Sequence, residues 1–109
     1  LGTVSGFVSS GYTAISLVQT TSPATAATAS TAGFPMRLAA AASVCYGHMV
    51  ITLENTNEFV SSHAARQSST AVIAGGGNIP LGGTLTQIRI TTVNGTDTFD
   101  LGSVNILYE

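Results

Sequence analysis

Residues 46–53 read Tyr-Gly-His-Met-Val-Ile-Thr-Leu, and their alternation decides the fold. Met49, Ile51 and Leu53 share one parity, and His48, Val50 and Thr52 the other. Side chains of an extended chain point alternately to opposite faces, so this stretch reads as a strand with one more apolar side. Working outward, the same β-branched and aromatic character recurs. Thr3 to Val8 is a short strand, and Ala14 to Thr20 follows a Ser-Ser-Gly-Tyr turn. Phe59 to Arg66 and Ser69 to Ala74 form a weaker pair, parted near Gln67 and Ser68.

Leu85 to Val93 alternates cleanly, with Ile88 and Ile90 opposed to Gln87, Arg89 and Thr91. The last pattern, Thr98 to Tyr108, carries Phe99 and Leu101 on odd positions and Val104, Ile106 and Tyr108 on even ones. A period of two cannot change face without an extra residue, so Gly102-Ser103 is expected to hold a bulge. Asn94-Gly95 is the strongest turn signal, because both residues accept positive φ between two apolar runs. Asn55-Thr56-Asn57 reads as a second turn, and residues 75–80, Gly-Gly-Gly-Asn-Ile-Pro, as a loop that Gly82-Gly83 extends. Residues 20–33 are Thr, Ser, Ala, Pro and Gly alone; such a segment lacks the apolar side chains to order itself, and a long surface loop or an arm on a neighbour is expected. The run Leu38 to Ala42 is the one stretch with helix-forming composition, and it runs directly into strand-like residues. About eight short strands separated by turns imply an all-β antiparallel sandwich or barrel.

The chain has 109 residues, the length of one domain, and it starts on Leu1, which reads as the C-terminal piece of a longer chain. Only 7% of its residues are charged, there is no lysine, and the formal net charge is −2. Affinity for nucleic acid scales with the cations that neutralise phosphate, so Arg37, Arg66 and Arg89, widely spaced, argue against a nucleic-acid partner. The same shortage argues against an anionic membrane surface. No apolar run approaches the roughly 20 residues needed for membrane insertion. Cys45 stands alone, which excludes an internal disulfide and a multi-cysteine zinc site and suits a small buried hydrophobe.

No catalytic motif is present, and no catalytic residue, metal or cofactor is assigned. His48 and His63 form neither an HxH nor an HExxH pair, and no Gly-x-Ser-x-Gly elbow occurs. Gly75-Gly76-Gly77 lacks the lysine of a phosphate loop. Asp97 and Asp100 read as a turn residue and a solvated one rather than an acid–base pair. Glu54 and Glu58 bracket an oxygen-rich turn, for which an ordinary turn outweighs a calcium site. Asn55, Asn57, His63, Arg66 and Asn78 are the side chains that would bond sugar hydroxyls or a receptor, because loops on a rigid sandwich are where binding resides.

The stretch Leu85 to Glu109 resembles the closing hairpin of β-sandwich domains at the C-terminal ends of bacteriophage tail fibres, tailspikes and related virion proteins. The resemblance rests on Ile88, Ile90, Asn94, Gly95, Phe99, Gly102, Ser103, Val104, Ile106 and Tyr108, and Gly11 to Leu17 is similar to a second strand of such domains. It implies a jelly-roll-like sandwich and a homotrimer in the virion, with no enzymatic activity. It further implies attachment to a bacterial surface glycan or receptor, or, alternatively, a structural place beside other virion proteins such as a capsid decoration or head fibre. The matched residues belong to the fold, so no receptor-binding residue comes with them.

Overall fold

The computed structural model describes residues 1–22, 25–40, 42–67 and 69–109. Among these residues seven strands are formed: β1 (Gly2–Thr3), β2 (Gly6–Phe7), β3 (Thr13–Thr20), β4 (Thr25–Ser30), β5 (Cys45–Asn55), β6 (Glu58–Gln67) and β7 (Ala71–Pro80). There is no helix among the described residues. The fold is all-β and antiparallel, as the alternation implies: a two-stranded sheet and a five-stranded sheet in the order β4-β3-β7-β6-β5, consistent with a β-sandwich. β3–β4 and β5–β6–β7 are successive hairpins, and β7 docks beside β3. The segment from β4 to β5 therefore crosses the large sheet from one edge to the other.

That crossing makes the two faces different. The rows Ser16–Gly75–His63–Met49 and Val18–Ile73–Ala65–Gly47 run across β3, β7, β6 and β5 on the covered face. Ile73, Ile79, Val18, Ala65, Phe59 and Tyr12 on this side are buried. Phe34 of the crossing segment meets Tyr12 edge to face, with centroids 5.1 Å apart. Leu1, Val8, Leu81 and Leu85 close the same end of the core. Cys45 packs against the Val18 cluster, and burial pushes its thiol pKa up. A loop laid over a sheet must find partners for its backbone. Here the sheet supplies them: Arg37 N–H donates to Ser16 Oγ (3.0 Å) and Ala39 N–H to Gln67 Oε1 (2.9 Å), while Gln67 Nε2 donates to Ser43 Oγ (2.7 Å). Buried Ser16, His63 and Gln67 are thus part of how an irregular cover is held.

Several expectations are corrected. The segment 20–33 is not one loop: Thr25–Ser30 pairs with β3 along its length. Small residues suffice there because an edge strand is fixed by its backbone ladder and buries little; Pro23 and Ala24 lie outside the described residues. Thr3 to Val8 is not one strand but the return of the β1–β2 hairpin, turned at Val4-Ser5 with Gly6 at φ 120°. The glycines at 75–77 are not a loop but the middle of β7, paired on both sides. Leu85 to Val93 and Thr98 to Tyr108 form no hairpin, and the only bridge made there among the described residues is Gly2 with Gln87. Gly102 does take positive φ (133°), but no strand surrounds it to make it a bulge. The turn between them exists: Asn94 Oδ1 accepts the N–H groups of Thr96 and Asp97, both at 3.1 Å. Asn94, rather than an aspartate, is the side chain that holds it. Of the alanine run, Ala41 lies outside the described residues.

Candidate functional site

The five polar residues singled out in the sequence do not form one site. Asn55, Asn57 and Asn78 gather at one end of the large sheet, where β5 turns into β6 and β7 ends. Asn57 sits at φ 61° in the turn, where asparagine tolerates the left-handed region, and its carbonyl accepts Leu81 N–H at 2.7 Å. Asn78 Nδ2 donates to Glu58 Oε1 at 3.2 Å, and Asn55 Oδ1 accepts Thr56 N–H at 2.7 Å. These amides hold the turn together. No group of three or more metal-ligating side chains occurs among the described residues.

His63 lies under the crossing segment at 5% exposure and is closed to a ligand. Its position follows from the sheet register. Ser16 on β3 and His63 on β6 both pair with Gly75 on the strand between them. With no side chain at Gly75 the imidazole lies across β7, and Nε2 reaches Ser16 Oγ at 3.0 Å. The pair has the distance of a serine nucleophile and its base. Chemically it is sealed: Ser16 is fully buried, and His63 Nδ1 contacts no acid to orient it. Ser16 Oγ already accepts Arg37 N–H, so its own proton is free to go to Nε2. Burial lowers the His63 pKa and keeps the ring neutral. The Arg37 guanidinium turns away, to Ala27 O and Thr28 Oγ1 on β4. The cluster is a pin between sheet and cover.

Ser61, two residues before His63 on the same face, has a buried hydroxyl with no hydrogen bond. A buried polar group without a partner costs about 1–3 kcal/mol. Ser61→Ala is therefore expected to raise stability by up to about 1 kcal/mol in urea unfolding, whereas Ser16→Ala, which strands Arg37 N–H and His63, lowers it by about 1–3 kcal/mol.

Arg66 stands at the other end of the sheet, on the uncovered face. The row Gln19–Val72–Arg66–Tyr46 crosses β3, β7, β6 and β5 there. Tyr46, 66% exposed, is the cross-strand neighbour of Arg66. The sequence shows Tyr46 only as the start of a strand; that it shares a row with Arg66 comes from the register. Beside them lies a shallow recess of about 230 Å³, lined by Gln19, Arg66, Thr70 and Val72 among others. A second, of about 270 Å³, lies along Tyr12–Ala14 and Ala29–Thr31. Both fall below the roughly 300 Å³ at which small-molecule pockets begin.

The uncovered face carries apolar side chains among polar ones such as His48, Thr52, Ser62 and Asn78. Ile15, Leu17, Val50, Val60 and Val72 stand on it, each more than one-third exposed. Beyond the sheet, Leu85 still packs on the core and Arg89 lies 4.4 Å over the Phe7 ring. From there the chain runs out into solvent: Phe99 is 66% and Leu101 97% exposed, with Val104, Ile106, Leu107 and Tyr108 similarly open. No helix among the described residues is long and apolar enough to cross a membrane. In comparisons with family models, curated proteins and solved structures, the chain matches none.

Proposed function

We propose that this chain is a non-enzymatic bacteriophage virion domain, at the tip of a tail fibre or spike, that forms a homotrimer and attaches the particle to a bacterial surface glycan. The observation that carries the reading is the pairing of an open apolar sheet face with an unpaired apolar C-terminal arm. Contiguous exposed apolar surface of this kind marks an interaction site. Trimerisation covers the arm and the Ile15, Leu17, Val50 and Val60 part of this face, leaves its Arg66–Tyr46 end open, and multiplies weak glycan contacts into useful avidity. C-terminal residues such as Ile88, Phe99, Val104 and Ile106 are then apolar for the sake of the assembly.

The attachment site favoured is the Arg66–Tyr46 row. It joins an aromatic face, on which a sugar ring stacks, to a guanidinium that bonds hydroxyls and to the Gln19 amide. At the asparagine end no exposed aromatic side chain shares a cross-strand row with Asn55 or Asn78. A bacterial polysaccharide array probed with the purified oligomer tests this. Binding to at least one polysaccharide is expected, with Tyr46→Ala weakening it at least tenfold and Asn55→Ala changing it little. Silence across the array from a folded oligomer overturns attachment. The shallowness of both recesses favours, as second reading, a structural virion protein without receptor contact, and that silence is its expected result.

A further inference from the structure

We propose that the C-terminal arm, residues 90–109, adds the stretch beyond its Asn94 turn, residues 98–108, as a strand to the free edge of β5 in a second copy of this chain. The proposal rests on the assembly part of the reading above and names its seam. Three observations meet in it. The arm has the side-chain alternation of a strand, yet past Arg89 it makes no ladder with any strand of its own chain. A backbone patterned for pairing but unpaired leaves both its amides and its apolar side chains in water.

The second observation is the edge itself. β5 is 11 residues long and is bonded to a neighbour on one side only. Edge strands are normally kept short or blocked by proline, lysine or inward charge. β5 has none of these; its one formal charge, Glu54, lies at its end beside the irregularity between Leu53 and Asn55. Tyr46, Val50 and Leu53 on it are each more than half exposed. The stretch Thr98 to Tyr108 is of the same length, about 36 Å when extended.

The third observation excludes the other edge. β4 has only 6 residues, and its Ala27 carbonyl and Thr28 hydroxyl are taken by the Arg37 guanidinium. A second copy is the fitting partner because each chain carries one arm and one open edge. Arm-to-edge contacts are head-to-tail, so copies saturate one another when the ring closes, with no edge left over.

Head-to-tail pairing makes a sharp test. Ile106→Pro spoils the arm as a strand while leaving the edge intact. Val50→Lys puts a charge on the edge while leaving the arm intact; Thr52→Lys, also exposed on the open face, replaces it if Val50→Lys does not fold. Light scattering on the full chain is expected to give an oligomer, and each variant alone a monomer. The two variants mixed are expected to form a one-to-one heterodimer, since one good arm then meets one good edge. Amides 98–108 are expected to be protected from hydrogen exchange in the parent and exposed in Ile106→Pro. If Ile106→Pro keeps the parent mass, or if the folded monomeric variants do not pair on mixing, the seam is elsewhere. A parent chain that is itself monomeric overturns the trimer reading as well.

Discussion

Replacing Gly75 by valine is expected to prevent folding. Gly75 lies at the centre of the central strand, paired with Ser16 on one side and His63 on the other. A Cβ at this position meets the Ile15 carbonyl oxygen and comes 2.6 Å from His63 Cε1. Real Cβ atoms do not approach so closely, so either β3 must part from β7 or the imidazole must leave. If the ring leaves, its hydrogen bond to Ser16 is lost and Arg37 is uncoupled from the sheet. Overpacking alone costs about 1–3 kcal/mol, the stranded buried groups add about 1–3 kcal/mol, and a small domain has only about 5–15 kcal/mol in all. Circular dichroism of Gly75→Val should show no cooperative unfolding. Gly33→Ala is the control: a Cβ at Gly33 meets nothing within 4 Å, so the change should stay within about 0.5 kcal/mol. A cooperatively folded Gly75→Val with the parent midpoint would mean that the His63 ring does not lie across β7.

Acid is expected to weaken the fold through His63. Burial lowers the folded pKa of this residue below the ordinary 6.5, while the unfolded chain takes up a proton near 6.5. Between those two values the unfolded state binds more protons, so stability rises with pH across that window. The contribution is fully present above pH 6.5, is lost as pH falls below it, and levels off once the folded state too is protonated. The slope is at most about 1.4 kcal/mol per pH unit. Urea midpoints measured from pH 8 to pH 5 should fall below pH 6.5 in the parent and stay flatter in His63→Gln. An unchanged slope in His63→Gln would remove the neutral Ser16–His63 pin from the account of the core.

What was legible in the sequence were the strands whose alternation meets a cover. β3, β5 and β6 appear within a residue or two of where Ala14 to Thr20, Tyr46 to Leu53 and Phe59 to Arg66 suggest them. The misreadings have separate physical causes. β4 has no large side chain, and a backbone ladder leaves no mark in composition. The glycines of β7 look like a loop because glycine signals backbone freedom, but here they provide room: an imidazole and a neighbouring backbone occupy the space their side chains would take. Among the candidate binding residues, His63 was misplaced because nothing local shows that a loop from residues 31–44 passes over it. Tyr46 was missed because its nearness to Arg66 is a matter of register.

By itself the sequence determined the antiparallel all-β class, the parity of β5 and the Asn94 turn, because these depend on period-two alternation and on local turn chemistry. The tertiary structure decided which face is covered, why Ser16, His63 and Gln67 are buried polar residues, and that the most strand-like C-terminal residues pair with nothing in their own chain. Alternation declares that a segment has a side to hide; only the arrangement of the whole chain shows whether a surface exists to hide it against. Residues 90–109 are laid along no strand of their own chain.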